Sequence, residues 1–256
     1  MSVRVTAAYT DVEAAALYDV LNQSGPDDDF YLDLVLASEA VVDVGCGTGR
    51  LLGRARDAGH TGRLFGIDPD PAMLAVAQRR RDVEWLLGTA ESLPFTGEFD
   101  LAVMMGHAFQ CLVGDDELRA SLAAIGRALV DDGRFAFETR NPAVRAWEGW
   151  HGMALDAVDP AGRRVRVSYD VEAVADDVVT FTETTSDAEG TALRVDRATL
   201  RFLDAPRLDA LLADAGFAVE ARYGGWQREP LALDSAEIVT VARRVVDGGV
   251  RERGSR

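Results

Sequence analysis

The stretch Val41-Val42-Asp43-Val44-Gly45-Cys46-Gly47-Thr48-Gly49-Arg50-Leu51 limits the fold more than any other part of the chain. A short apolar run ends in an acid, three glycines follow at alternate positions, and an apolar-periodic segment begins. That order reads as a buried parallel strand, a tight turn and a helix start. Glycine suits a backbone that must bend sharply and approach a ligand closely. The first helical turn directs free N–H groups at whatever sits there, and Asp43 at the strand end is suited to a cation. A ligand with a cationic amino-acid head and a nucleoside body fits both halves. The competing reading is a glycine turn with no ligand at all.

Two cofactor classes use such a loop. A dinucleotide fingerprint reads G-x-G-x-x-G/A. Counted from Gly45, Arg50 stands in the third place and fails it, which argues against a nicotinamide-dependent oxidoreductase. The pattern from Asp43 through Gly49 is D-x-G-x-G-x-G. It resembles motif I of the class I S-adenosylmethionine-dependent methyltransferases. Three further stretches resemble the same family. Arg63-Leu64-Phe65-Gly66-Ile67-Asp68-Pro69 is a second strand ending in an acid about twenty residues on, where Asp68 is suited to both ribose hydroxyls; the alternative role, a helix cap, is open to Asp70 as well. Thr89-Ala90-Glu91-Ser92-Leu93-Pro94-Phe95 is similar to the adenine-side motif G-D-A-E-x-L-P-F, with Thr89 in place of the usual Asp. A hydroxyl accepts more weakly than a carboxylate, so the adenine contact rests on the backbone of Ala90 and Glu91. Phe99 to Met105 is a fourth strand, leading into Gly106-His107-Ala108, where the family brings the transferred methyl group.

The resemblance implies S-adenosyl-L-methionine as cofactor, bound by Tyr18, Asp43, Gly45, Cys46, Gly47, Gly49, Asp68, Pro69, Met73, Thr89, Ala90, Glu91, Met105 and Gly106. It implies a small-molecule acceptor and methyl transfer to nitrogen or oxygen. A cofactor-binding protein without catalysis is the alternative. The implied fold is α/β: a doubly wound, seven-stranded Rossmann-like sheet with a reversed last strand, N-terminal helices and an inserted antiparallel β-sheet. Within it, 1–38 is expected as a helical cap, 39–145 and 204–246 as the core, 146–203 as the insert and 247–256 as a tail. The insert is expected either as a lid over the acceptor or as a homodimer contact, since open antiparallel edges pair readily.

Along the chain, Ala14 to Leu21 and Phe30 to Leu36 have helical spacing, broken at Ser24-Gly25-Pro26. Tyr18 or Tyr31 is placed to cover the cofactor, or else both simply pack. Helices are expected at 49–59, after Pro71, from Asp115 to Leu129 and from Pro206 to Ala215. Strand five is Arg134 to Thr139, after an Asp132-Gly133 turn. Three β-type runs, 163–175, 178–187 and 191–203, are separated by turns at Asp176-Asp177 and Glu189-Gly190. The last two strands, Val219 to Tyr223 and Ile238 to Ala242, are expected as an antiparallel pair.

Composition removes some functions. The 256 residues carry a formal charge of −16. Binding a phosphate backbone needs a basic face, and Arg79-Arg80-Arg81, the densest basic run, suits a helix C-terminus; no nucleic-acid partner is expected. No segment has the length of a membrane span, and no signal peptide is expected. With Cys46 and Cys111 its only cysteines, the chain has no disulfide framework and no metal site. A bacterial cytoplasmic protein is the expectation. Methyl transfer from a sulfonium needs a base only when the nucleophile arrives protonated. His107 is the titratable residue at the end of strand four, read as a general base or as a wall of the pocket. His151 and Glu138 are secondary candidates, and Trp147, Trp150 and Trp226 are placed to line a cavity or to pack in the core.

Overall fold

Residues that alternate between two buried faces make the strands of the main sheet, and residues with helical spacing cover both sides. The computed structural model describes residues 2–5 and 9–245; the expected tail at 247–256 lies outside the described residues. The chain runs β1 (Ser2–Val5), α1 (Asp11–Leu21), α2 (Pro26–Leu36), β2 (Ala40–Val44), α3 (Arg50–Asp57), β3 (Arg63–Asp68), α4 (Pro71–Ala77), β4 (Glu84–Leu87), β5 (Phe99–Met104), α5 (Asp115–Ala128) and β6 (Leu129–Arg140). It continues through β7 (Ala154–Val158), β8 (Arg164–Ala175), β9 (Val178–Ser186), β10 (Ala192–Arg201), α6 (Ala205–Asp214), β11 (Phe217–Tyr223) and β12 (Glu237–Arg244). Short 3₁₀ turns follow β4, β5 and β6.

Seven strands form one sheet in the order β11-β12-β6-β5-β2-β3-β4. β2 is parallel to β3 and β5, and β5 to β6, while β12 is antiparallel to both β6 and β11. Period-two burial fills both faces. Val42, Val44, Ala102, Met104, Phe135 and Phe137 enter an apolar cluster with α5 and α6. Val41, Leu101, Val103, Ala136, Val239 and Val241 enter a second cluster with α2 and α3. A strand buried on both faces has no polar side, which is why these segments read as unbroken apolar runs. The chain steps outward from β2 to β3 and β4, then returns across β2 to β5. The crevice at the ends of β2 and β5 is thus the topological switch point, where ligands of such sheets bind.

The second sheet is antiparallel, in the order β1-β10-β9-β8-β7. The three expected runs are β8, β9 and β10, with a turn at Asp176-Asp177 and a second closed by Gly190. Two strands escaped the sequence reading. β7 is rich in alanine and aspartate, weak strand formers. β1 is four residues long and lies in a stretch read as helical; it pairs with β10, Ser2 opposite Arg197 and Val5 opposite Arg194. Strand five also begins earlier than expected, at Leu129, with its ladder to β5 broken between the pairs Phe99–Leu129 and Leu101–Arg134. Asp132 there adopts a positive φ of 62°.

Helix α1 joins the two sheets. Thr10 caps it, its hydroxyl accepting from the Glu13 N–H while the Thr10 N–H donates to Glu13 Oε2 at 2.7 Å. Its Leu17, with Tyr9 just before it, packs on Val165 and Val167 of β8. Arg163 reaches Glu13 at 2.6 Å and Arg194 reaches Asp11 at 2.6 Å.

Candidate active site

All three glycines of the loop after β2 take positive φ, 77° at Gly45, 54° at Gly47 and 75° at Gly49. They do so for different reasons. A Cβ on Gly49 would overlap the Trp85 indole, and one on Gly45 would stand 2.9 Å from the Ala108 Cβ. A Cβ on Gly47 meets nothing within 4 Å. Gly45 and Gly49 therefore permit packing, while Gly47 faces open space and forms the floor of a cradle. Cys46 turns inward against Gly66 and is buried, so its backbone alone faces the loop. Burial and the acids nearby hold its thiol neutral.

Asp68, at the end of β3, braces this loop. Its Oδ2 accepts from the Gly47 N–H at 2.7 Å and its Oδ1 from the Asp70 N–H at 2.8 Å. The cap of α4 is Asp70, which accepts from Ala72 and Met73, so Asp68 has no capping role. Asp43 is fully enclosed and its Oδ1 has no hydrogen-bond partner. Burial, with Asp68 and Glu138 adding like charge, pushes its carboxyl up to about 8. An orphaned buried carboxyl beside an open glycine cradle, with a second acid at the next strand end, suits a ligand bearing a cation and a vicinal diol.

The remaining expected residues differ in exposure and in partners. Thr89 is exposed, and its carbonyl accepts from the Ser92 N–H and hydroxyl at 3.0 and 2.7 Å. Ala90 is buried, Glu91 and Pro69 are exposed, and Met73 and Met105 are half-buried. Tyr18 of α1 brings its hydroxyl to 3.4 Å from where a Gly106 Cβ would stand, and its neighbour Asp19 accepts from the Thr48 hydroxyl at 2.7 Å. Tyr31 is different: it is fully buried, and its hydroxyl donates to Glu138 Oε2 in a short contact. His151 lies on the surface, 3.5 Å from Asp170.

At the end of β5, His107 stands in the left-handed region with φ 62°. Its N–H donates to Glu138 Oε1 at 2.7 Å, and its Nε2 lies 3.1 and 3.0 Å from the two oxygens of Glu237. Glu138 is buried in β6, and burial raises its carboxyl above the usual range. Arg140, two residues on, donates through Nη1 to Gln110 Oε1 at 3.1 Å and lies 5.2 Å from the centre of the Trp150 ring. Trp150 in turn meets Phe181 of β9 at 5.2 Å. The second sheet thus reaches the mouth of the site. Trp147 packs on Phe202, and Trp226 sits apart, against Phe30 and Tyr31. Glu237, Arg140 and Gln110 carried no signal in the sequence, because each acquires its neighbours only through the fold.

Residues 41–133, the span that holds the cradle and both acids, match the family described as "Methyltransferase domain". Over that span the chain is similar to the class I S-adenosylmethionine-dependent methyltransferases. The 2-phytyl-1,4-naphtoquinone methyltransferase of Thermosynechococcus vestitus is 32% identical over 132 residues, 47% of this chain and 56% of that protein. The malonyl-[acyl-carrier protein] O-methyltransferase of Hahella chejuensis is 31% identical over 176 residues, 65% of this chain and 59% of that protein. The chain thus spans somewhat more than half the length of these curated relatives. An S-adenosylmethionine-dependent methyltransferase from Clostridium acetobutylicum has the same fold, with TM-score 0.74, 15% identity, and 91% of this chain and 98% of that one covered. The seven-stranded sheet, with its last strand β12 reversed between β11 and β6, is the Rossmann-like methyltransferase sheet of that fold.

Proposed function

We propose that this chain moves a methyl group from S-adenosylmethionine to a nitrogen or oxygen of a small molecule by in-line displacement. The observation that carries the reading is the conjunction at the ends of β2 and β3: the open Gly47 cradle, the unpartnered Asp43 oxygen and the loop-bracing Asp68. Gly45, Gly47 and the first turn of α3 would hold the amino-acid end of the donor. Asp68 would accept from its ribose hydroxyls, and Thr89, Ala90 and Glu91 would lie along its adenine. The donor, when bound, supplies a methyl group already activated on a sulfonium sulfur. The protein's remaining work is to orient the acceptor in line and to exclude water. Tyr18 and α1 are placed to cover the donor, with Gly106 and His107 beside the reacting end.

We read the segment 146–203 as a lid over the acceptor. Trp150 and Phe181 extend it to Arg140 at the end of β6, which favours this reading over a sheet reserved for dimer contact. The partition into a cap at 1–38, a core at 39–145 and 204–246, and this insert follows the same reading. Titration calorimetry tests the donor assignment. Micromolar-range binding of S-adenosylmethionine and its demethylated product is expected, with none of NADH. The reverse result would overturn it, and donor binding without transfer to any amine or hydroxyl panel would leave a binding protein.

A further inference from the structure

The groups around His107 define what kind of acceptor the site takes; this step rests on the methyl-transfer reading above. Two acids from two strands converge on His107 behind the end of β5, Glu138 on β6 and Glu237 on β12. Asp43 on β2 belongs to the donor cradle and is held largely protonated at neutral pH by its burial. Arg140 is the arginine facing these two acids; among the described residues it makes no ion pair within contact distance of them, its Nη1 being held by Gln110, and Arg50, beside Tyr18, is paired with Asp28. Tyr31 from α2 and Tyr18 from α1 contribute only hydroxyls. A site with this balance attracts a cation and repels a phenolate or carboxylate.

The imidazole of His107 is oriented for one task. A carboxylate can only accept, so the nitrogen facing Glu237, Nε2, carries the proton. In the neutral ring that leaves Nδ1 as the basic nitrogen, and it has no protein partner among the described residues. The main chain of His107 is fixed by Glu138, which Tyr31 holds from the other side. Ring, backbone and counter-charge are thus each held by a different element.

We propose that the acceptor is an amine, that His107 takes its proton through Nδ1, and that Glu237 is the positioning residue that orients the ring and stabilises the imidazolium. The amine arrives as an ammonium, drawn by the carboxylates. One N–H bond breaks and the proton passes to Nδ1. The freed nitrogen lone pair forms the N–C bond to the methyl group as the C–S bond breaks, and that bond's electron pair remains on sulfur. A neutral alcohol gains nothing from the charge of Glu138 and Glu237, and its far weaker acidity is beyond an imidazole base acting without further activation.

The test uses the full chain, radiolabelled S-adenosylmethionine, and matched panels of small alkyl amines and alcohols on the same carbon skeletons. Label is expected in the amines and not in the alcohols. His107→Gln and Glu237→Gln are expected to lower kcat/KM for the best amine at pH 7 by roughly a hundredfold, the usual worth of a positioned general base. Most of that loss is expected to return as the pH rises through about 10.4, the ordinary value of an alkyl ammonium, where the amine arrives already deprotonated. Donor affinity by calorimetry should stay within about threefold in both variants, because neither residue lies in the cradle. Label in the alcohols alone would overturn the proposal. So would an equal loss at every pH in both variants, the signature of a purely structural role. Absence of donor binding by the native protein would instead remove the underlying methyl-transfer reading, and calorimetry tells that failure apart from the others.

Discussion

A carboxyl group buried without a partner is costly to ionise, and Asp43 is such a group. An unfolded aspartate titrates near roughly 3.9, whereas in the fold Asp43 is pushed up to about 8. The folded chain therefore holds an extra proton between these values. Stability from this group is present in acid and is lost as the pH rises toward 8. A cationic donor placed beside it reverses the preference and expels the proton. Donor affinity is thus expected to rise with pH up to about 8, and titrations in buffers of different ionisation heat should show proton release. Asp43→Asn should flatten both that rise and part of the pH dependence of the melting temperature, the remainder coming from Asp68 and Glu138, which burial also raises. Asp68→Ala should weaken donor binding by about 1.5–3 kcal/mol, the range for hydrogen bonds to a charged group. Part of that loss comes through the freed Gly47 N–H. Gly47→Val should do worse, since its φ of 54° is strained for a branched side chain and its Cβ enters the cradle. Both are checked by calorimetry on protein shown to be folded. These residues were legible in the sequence because a turn with positive φ demands glycine and a short loop fixes what lies beside it. Glu237 was not, because nothing local distinguishes it from any other surface acid.

At the scale of elements, the long, two-faced strands and the capped helices were readable, while β1 and β7 were not. The difference is physical: β2, β5 and β12 are buried on both sides, whereas β1 and β7 are edges held by one neighbour each. The insert also proves more embedded than its position between β6 and α6 suggested. Gln110 is fully buried; its amide donates to the Arg201 carbonyl of β10 and accepts from Arg140. Arg201 donates back to the Val113 carbonyl. Gln110→Ala is expected to cost about 1–3 kcal/mol of stability, the penalty for stranding buried partners, as read from urea titration. Replacing residues 163–203 by a short turn should abolish turnover far more than donor affinity. Because α1 packs Leu17 on Val165 and Val167, the deletion also strips α1 of its apolar partner, and weakened Tyr18 cover should accompany it. Unchanged turnover in a monomeric deletion variant would eliminate the lid reading, and sedimentation reports the mass.

For the molecule as a whole, one reversed strand has an effect on timing. β12 runs against β6, with Glu237 opposite Arg140, so the first residue of that strand, not its last, arrives at the catalytic edge. The contact it makes with His107 spans 130 residues of sequence. A nascent chain leaving the ribosome can therefore assemble the glycine cradle, Asp68 and even His107 well before Glu237 has been translated. During that interval the fragment lacks the acid that orients the His107 ring, and it gains that acid only when the final hairpin docks. Chains ending just before residue 237 also lack Ile238, Val239 and Val241 of the two apolar clusters, so they are expected to lose stability in urea titration together with turnover, whereas chains extended past Arg244 and clear of the exit tunnel should recover both.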